Sequence, residues 1–114
     1  MQAERRLENR VPLEMYLNTY VADRPRRAVT VNVSESGLYL ESLDHMPLAP
    51  FTPMGVELAL PGDTIWAAGL LCFDDEDRYF YGTGIRFVAM ARRHRRLLHD
   101  FLDGARRRRG HRPA

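Results

Sequence analysis

Between Ala28 and Leu40 the chain reads A-V-T-V-N-V-S-E-S-G-L-Y-L, and this stretch constrains the fold more tightly than any other. Val29, Val31 and Val33 alternate with Thr30, Asn32 and Ser34, which is the two-residue period of a strand with one apolar and one polar face. Gly37 permits a sharp turn where a side chain would clash. Leu38 and Leu40 then resume the alternation. The reading is strand, turn, strand. It sets Asn32 and Ser34 on one face, about 6–7 Å apart at a rise of about 3.3 Å per residue, with Ser36 and Gly37 following in the turn. Taken alone, this is a hairpin in which Ser34 and Ser36 bond the local backbone. Taken with the rest of the chain, it is a small hydrogen-bonding shelf.

The same alternation recurs along the sequence. Val11–Val21 predicts a first strand, Arg26–Ser34 a second, Gly37–Leu43 a third, Met54–Leu60 a fourth, Thr64–Phe73 a fifth and Arg78–Val88 a sixth. Turn signals separate them at Asp23-Arg24-Pro25, in the proline-rich segment His45–Pro53 and at Pro61-Gly62-Asp63. Thr64–Phe73 is hydrophobic on both sides, which predicts that both faces are covered and that Cys72 belongs to the core. Asp74-Asp75-Glu76-Asp77 reads as a solvated acidic tip. Gly82 and Gly84 within a strand signal a bulge or the close approach of another group. Ala89–Leu102 predicts a helix with a buried stripe of Met90, His94, Leu97, Leu98, Phe101 and Leu102, stopped by Gly104. Six short strands followed by a helix make the fold mainly β: a six-stranded antiparallel β-barrel with a C-terminal α-helix, closure removing the exposed strand edges. Residues 1–10 read as a flexible N-terminal arginine arm, 11–103 as the barrel with its helix and 104–114 as a disordered basic tail.

Composition narrows the function classes. The length of 114 residues fits one domain. A lone cysteine excludes an internal disulfide, and with no hydrophobic leader or membrane-length apolar run the expectation is a cytoplasmic protein without membrane insertion. All 17 basic residues are arginine. Five of them, Arg106–Arg109 and Arg112, lie in the last ten residues, so the net charge of +2 leaves −3 on Met1–Gly104. An acidic body with a basic tail argues against a specific nucleic-acid surface. His45, His94, His99 and His111 lack metal-ligand spacing with each other or with Cys72, and neither a nucleophile elbow nor a phosphate-binding loop is present, so the expectation is no enzyme, no metal and no cofactor. His99 reads as a favourable charge near the helix end.

A binding reading remains. Arg6 and Arg10 precede the first strand, and Asn32, Ser34 and Gly37 form the shelf. Arginine forks fit phosphate oxygens and the O6 and N7 of guanine, and asparagine and serine can read a base edge. That chemistry suits a guanine nucleotide carrying more than one phosphate.

At this point the sequence resembles the PilZ domain family, the bacterial receptor module for cyclic di-GMP, whose marks are RxxxR followed by [D/N]xSxxG on a six-stranded barrel with a C-terminal helix. Arg6-Leu7-Glu8-Asn9-Arg10 matches the first element, Asn32-Val33-Ser34-Glu35-Ser36-Gly37 the second, and Gly82-Thr83-Gly84-Ile85-Arg86-Phe87 resembles the glycine-rich last strand. The resemblance implies that Arg6 and Arg10, assisted by Arg5, grip the phosphates and guanine faces of cyclic di-GMP, and that Asn32, Ser34 and Gly37 hold a guanine edge. It implies a stand-alone receptor or adaptor whose arm becomes ordered on binding and whose output reaches an unidentified effector protein in trans. Within the same family the alternative is a protein-interaction module that does not bind cyclic di-GMP.

Overall fold

The computed structural model describes residues 10–42, 48–76 and 81–110, the backbone alone at 73–76, 81, 109 and 110. The strands are β1 (Val11–Pro12), β2 (Tyr16–Val21), β3 (Arg24–Val33), β4 (Gly37–Ser42), β5 (Pro53–Leu60), β6 (Asp63–Glu76) and β7 (Tyr81–Met90), followed by helix α1 (Arg92–Gly110). All pairings are antiparallel, in the order β1-β3-β2-β5-β6-β7-β4, and a further β3–β4 pairing closes β2 to β7 into a six-stranded barrel. β1 is the additional strand, on the same edge of β3 as β2. The fold expected from the alternation is therefore present. Leu17, Val33, Leu38, Val56, Leu58, Ile65, Leu71 and Ile85 fill the barrel.

The expected first strand, Val11–Val21, is broken at residues 13–15. The cause is Thr30, which is buried beneath the break. Its hydroxyl donates to the Leu13 carbonyl at 2.6 Å and accepts from the Met15 N–H at 2.9 Å, while its own N–H donates to the Met15 carbonyl. One threonine thus satisfies the backbone groups that a continuous ladder would have paired. Beside it, β3 carries a bulge: Thr30 pairs with Leu40 and Asn32 with Tyr39, leaving Val31 as the extra residue. The bulge changes the phase of the strand. Ala28 and Thr30 point inward before it and Val33 after it, whereas Val31 is exposed and Val29 only half-buried. The expectation that Val29, Val31 and Val33 share one buried face is corrected accordingly, because alternation survives only in an unbroken register.

Two further expectations change. β6 is not covered on both faces: Ile65, Ala67 and Leu71 are buried, but Trp66, Ala68 and Cys72 are exposed. Cys72 is the extra residue of a second bulge, between the Leu71–Ile85 and Phe73–Gly84 pairs, and it lies on the same outward face as Trp66 and Ala68. The helix begins later and ends later than its stripe implied. Met90 closes β7, α1 starts at Arg92, and the helix runs through Gly104 to Gly110. Leu98, Leu102 and Ala105 seat it on the barrel, each at most 4% exposed. Burial of Ala105 and the good helix propensity of the following arginines outweigh a mid-helix glycine, a cost of about 1 kcal/mol. Residues 105–110 of the expected disordered tail are helical, and 111–114 lie outside the described residues. No helix of the described residues is long and apolar enough to cross a membrane.

Candidate functional site

The register of β1 on β3 places the arginine motif against the shelf. Val11 pairs with Val33 and Pro12 with Asn32, so Arg10 arrives beside the end of β3. Its guanidinium Nη1 donates to Asn32 Oδ1 at 2.6 Å, a short charge-assisted bond. The bulge at Val31 makes this contact available, because it sets the phase in which Asn32 is half-buried at the wall while Val33 is fully buried. With Oδ1 accepting from Arg10, the Asn32 amide keeps its N–H donors. Arginine forks and amide N–H groups are what the acceptor edge of guanine, O6 and N7, requires.

Ser34 shapes the turn that follows. It is buried at 3% exposure. Its Oγ accepts from the N–H groups of Ser36 and Gly37, donates to the Gly37 carbonyl, each at 3.2 Å, and lies 3.1 Å from Ser36 Oγ. The Ser34 N–H donates to the same Gly37 carbonyl at 2.8 Å. The local hairpin bonding expected of these serines is thus observed, and it defines the role of Ser34 as a staple. Gly37 is needed for space: a Cβ there would collide with the Ile85 carbonyl oxygen and crowd Arg86 Cα at 3.2 Å. Phe87 N–H donates to the Ser36 carbonyl at 2.8 Å, so the turn is held flat against β7.

Arg10 and Asn32 are brought together, and Ser34 and Gly37 form the adjoining turn. Arg5 and Arg6 lie outside the described residues. Two neighbours were not read as site residues from the sequence. Arg86 is exposed and pairs with Gly37 across the β4–β7 ladder, a further arginine next to the turn that only the register reveals. Glu35, inside the motif, accepts a hydrogen bond from His99 of α1, Nδ1 to Oε2 being 3.0 Å. His99 is therefore a mid-helix partner of the turn rather than a terminal charge. On β7, Tyr39 lies over Gly82, where a Cβ would strike its hydroxyl, which is the close approach the glycine signalled. A separate polar cluster sits on the outer face of β2 and β5, where Asn18 Nδ2 and the Tyr20 hydroxyl both donate to Glu57 Oε1, at 3.0 and 2.8 Å. Among the described residues no cluster of His, Cys, Asp and Glu is arranged to hold a metal ion.

The model of the PilZ domain family matches residues 4–104. The chain belongs to the PilZ family. None of the curated proteins matches it, but solved structures share the PilZ fold. The Bacillus subtilis inhibitor of motility MotI/DgrA is 14% identical with a TM-score of 0.79 over 92% of this chain and 52% of its own, so this chain spans about half of that protein. The PilZ domain of Escherichia coli YcgR, described with c-di-GMP, is 13% identical with a TM-score of 0.72, covering 87% of this chain and 89% of the domain. The PilZ domain of CeSA from a cellulose-synthesizing bacterium is 14% identical with a TM-score of 0.66, covering 83% and 95%. At these identities the likeness is one of fold, and in this PilZ domain the motif residues must be judged from their own geometry.

Proposed function

We propose that this PilZ domain is a cyclic di-GMP receptor acting as an adaptor. One observation carries the reading: the Arg10–Asn32 hydrogen bond joins RxxxR to NxSxxG in a single donor-rich corner. The similarity of the fold to an E. coli domain described with c-di-GMP supports it. In this reading Arg6 and Arg10, with Arg5, clamp the phosphates and stack on guanine, Asn32 donates to a guanine edge, and Ser34 and Gly37 keep the turn low enough for the base to approach the backbone. Closure of the arginine arm over the nucleotide then creates the surface that an effector protein recognises. The reading assigns no catalytic step and no metal to the domain.

The test is a calorimetric titration of the full chain with cyclic di-GMP, with GTP as control. Saturable heat with cyclic di-GMP alone is the expected result, and its stoichiometry counts the nucleotides per site. Absence of heat, together with an unchanged melting temperature, would overturn the reading in favour of a nucleotide-independent interaction module.

A further inference from the structure

Glu35 sits between the two serines of the turn, and its only described partner is on another element, 64 residues away. His99 belongs to α1, where its neighbour Leu98 is 1% exposed and, one turn on, Leu102 is fully buried. The imidazole is therefore held by a helix pinned to the barrel, and the Glu35 carboxylate is held by the imidazole. Three described carboxylates act on His99: Glu35 across the gap, and Asp100 and Asp103 on its own helix. Of the strands that α1 packs against, β1 carries no titratable group, and the described side chains of β6 include one carboxylate, Asp63, which lies 4.0 Å from Arg93 near the start of the helix. The hydrogen bond to Glu35, reinforced by its charge, raises the His99 pKa above the ordinary 6.5.

The consequence for an anion is direct. A dinucleotide with phosphodiester charges that docks on Asn32 and Gly37 meets the carboxylate of Glu35 in the same turn. A protonated His99 cancels that charge and fixes the turn that carries it. A neutral His99 leaves the carboxylate uncompensated, and like charges repel. We propose that His99 is a positioning residue for the nucleotide site: its charged imidazole pairs with Glu35, holds the Asn32–Gly37 turn and screens the carboxylate, so that cyclic di-GMP affinity falls when His99 loses its proton. This inference rests on the receptor reading above and makes α1 part of the binding apparatus.

The experiment is calorimetric titration of the full chain with cyclic di-GMP from about pH 6 to about pH 8.5, the range in which imidazole changes charge. The wild type should weaken about two- to fivefold across this range, the scale of one partly exposed ion pair. Glu35→Gln should bind at least as tightly as the wild type at the acid end, with a flat profile. His99→Gln should be flat at the weak limit, and His99→Arg, which keeps the charge at all these pH values, flat near the tight limit. His94→Gln, whose imidazole meets the Trp66 backbone of β6 rather than the turn, should keep the wild-type slope. In the unliganded protein, an NMR titration of the imidazole should show the His99 pKa dropping on Glu35→Gln. Binding with a flat wild-type profile, or a slope that persists in both Glu35→Gln and His99→Gln, would overturn this inference while leaving the receptor reading intact. Failure of the wild type to bind at every pH would remove the receptor reading and this inference with it.

Discussion

Arg10 and Asn32, 22 residues apart in sequence, meet through a 2.6 Å hydrogen bond at the point where the chain joins the barrel. The contact orients one arginine of the arm beside the shelf. Ordering a long side chain costs up to about 2 kcal/mol, and a hydrogen bond within the protein offsets part of that cost.

Arg10→Ala should therefore weaken cyclic di-GMP binding about ten- to a hundredfold, the range of one or two hydrogen bonds to a charged group. Stability should fall by about 1 kcal/mol, because the bond to Asn32 is lost while the core is untouched. Calorimetry and thermal unfolding together check this. A variant that binds as tightly as the wild type would remove Arg10 from the site.

Thr30→Val keeps the shape and deletes the hydroxyl that serves the Leu13 carbonyl and the Met15 N–H. Both backbone groups lose a partner, which should cost about 1–3 kcal/mol in chemical denaturation. Because the same bonds fix the approach of β1 to β3, ligand affinity should fall as well, by less than in Arg10→Ala. Thr30→Ser should recover most of both. If Thr30→Val and wild type unfold at the same denaturant concentration, the hydroxyl is not holding the break in the strand.

Gly37 and Gly62 separate two reasons for glycine. A Cβ at Gly37 would run into the Ile85 carbonyl, whereas around Gly62 nothing lies within 4 Å but φ is +82°. Gly62→Ala should cost about 1–2 kcal/mol through the left-handed backbone alone and leave nucleotide affinity unchanged. Gly37→Ala forces apart β4 and β7 at the turn, so it should cost about 3 kcal/mol or more and lose affinity too. Equal effects on binding from the two substitutions would show that the turn does not need its close seat on β7.

Much of this was legible in the sequence for a plain reason: strands with one buried face alternate, and Asn32, Ser34 and Gly37 sit where a turn needs short polar and bare residues. What escaped has physical causes too. The bulge at Val31 is invisible because Ala28, Thr30 and Val33 form no single periodic set, and Val29 and Val31 look more apolar than the residues that displaced them inward. Cys72 and Trp66 read as core, although packing on their side of β6 is incomplete. The Glu35–His99 and Gly37–Arg86 relationships are tertiary, and no local spacing encodes them.

Glu57 gives the fold a dependence on acid. Hydrogen bonds from Asn18 first, then Tyr20, hold its carboxyl below the usual 4.5. A carboxylate whose folded pKa is lowered contributes stability that is present above the unfolded value and is lost as pH falls through the folded one. Urea unfolding at about pH 6 and at about pH 3.5 should show a smaller loss for Glu57→Gln than for the wild type across that interval. Parallel losses would mean that the three side chains do not act together in solution.

The end of α1 is decided by Ala105. Gly104 has the composition of a helix stop, yet the helix continues to Gly110, with Ala105 buried and Arg107 donating to Asp103 at 2.7 Å. An exposed i,i+4 pair of this kind contributes at most a few tenths of a kcal/mol, so the methyl of Ala105 and the backbone bonds of the last turns must supply most of the stabilisation. Truncation after Gly104 should remove about 1 kcal/mol and lower the melting temperature by about 4–8 °C, whereas truncation after Gly110 should leave it within a degree or so of wild type. Ala105→Ser, which adds a hydroxyl to the buried face without shortening the chain, should reproduce part of the first effect. Two truncated proteins melting at the same temperature would show that the segment after Gly104 adds nothing to the barrel, and the helix would then end where its glycine suggests.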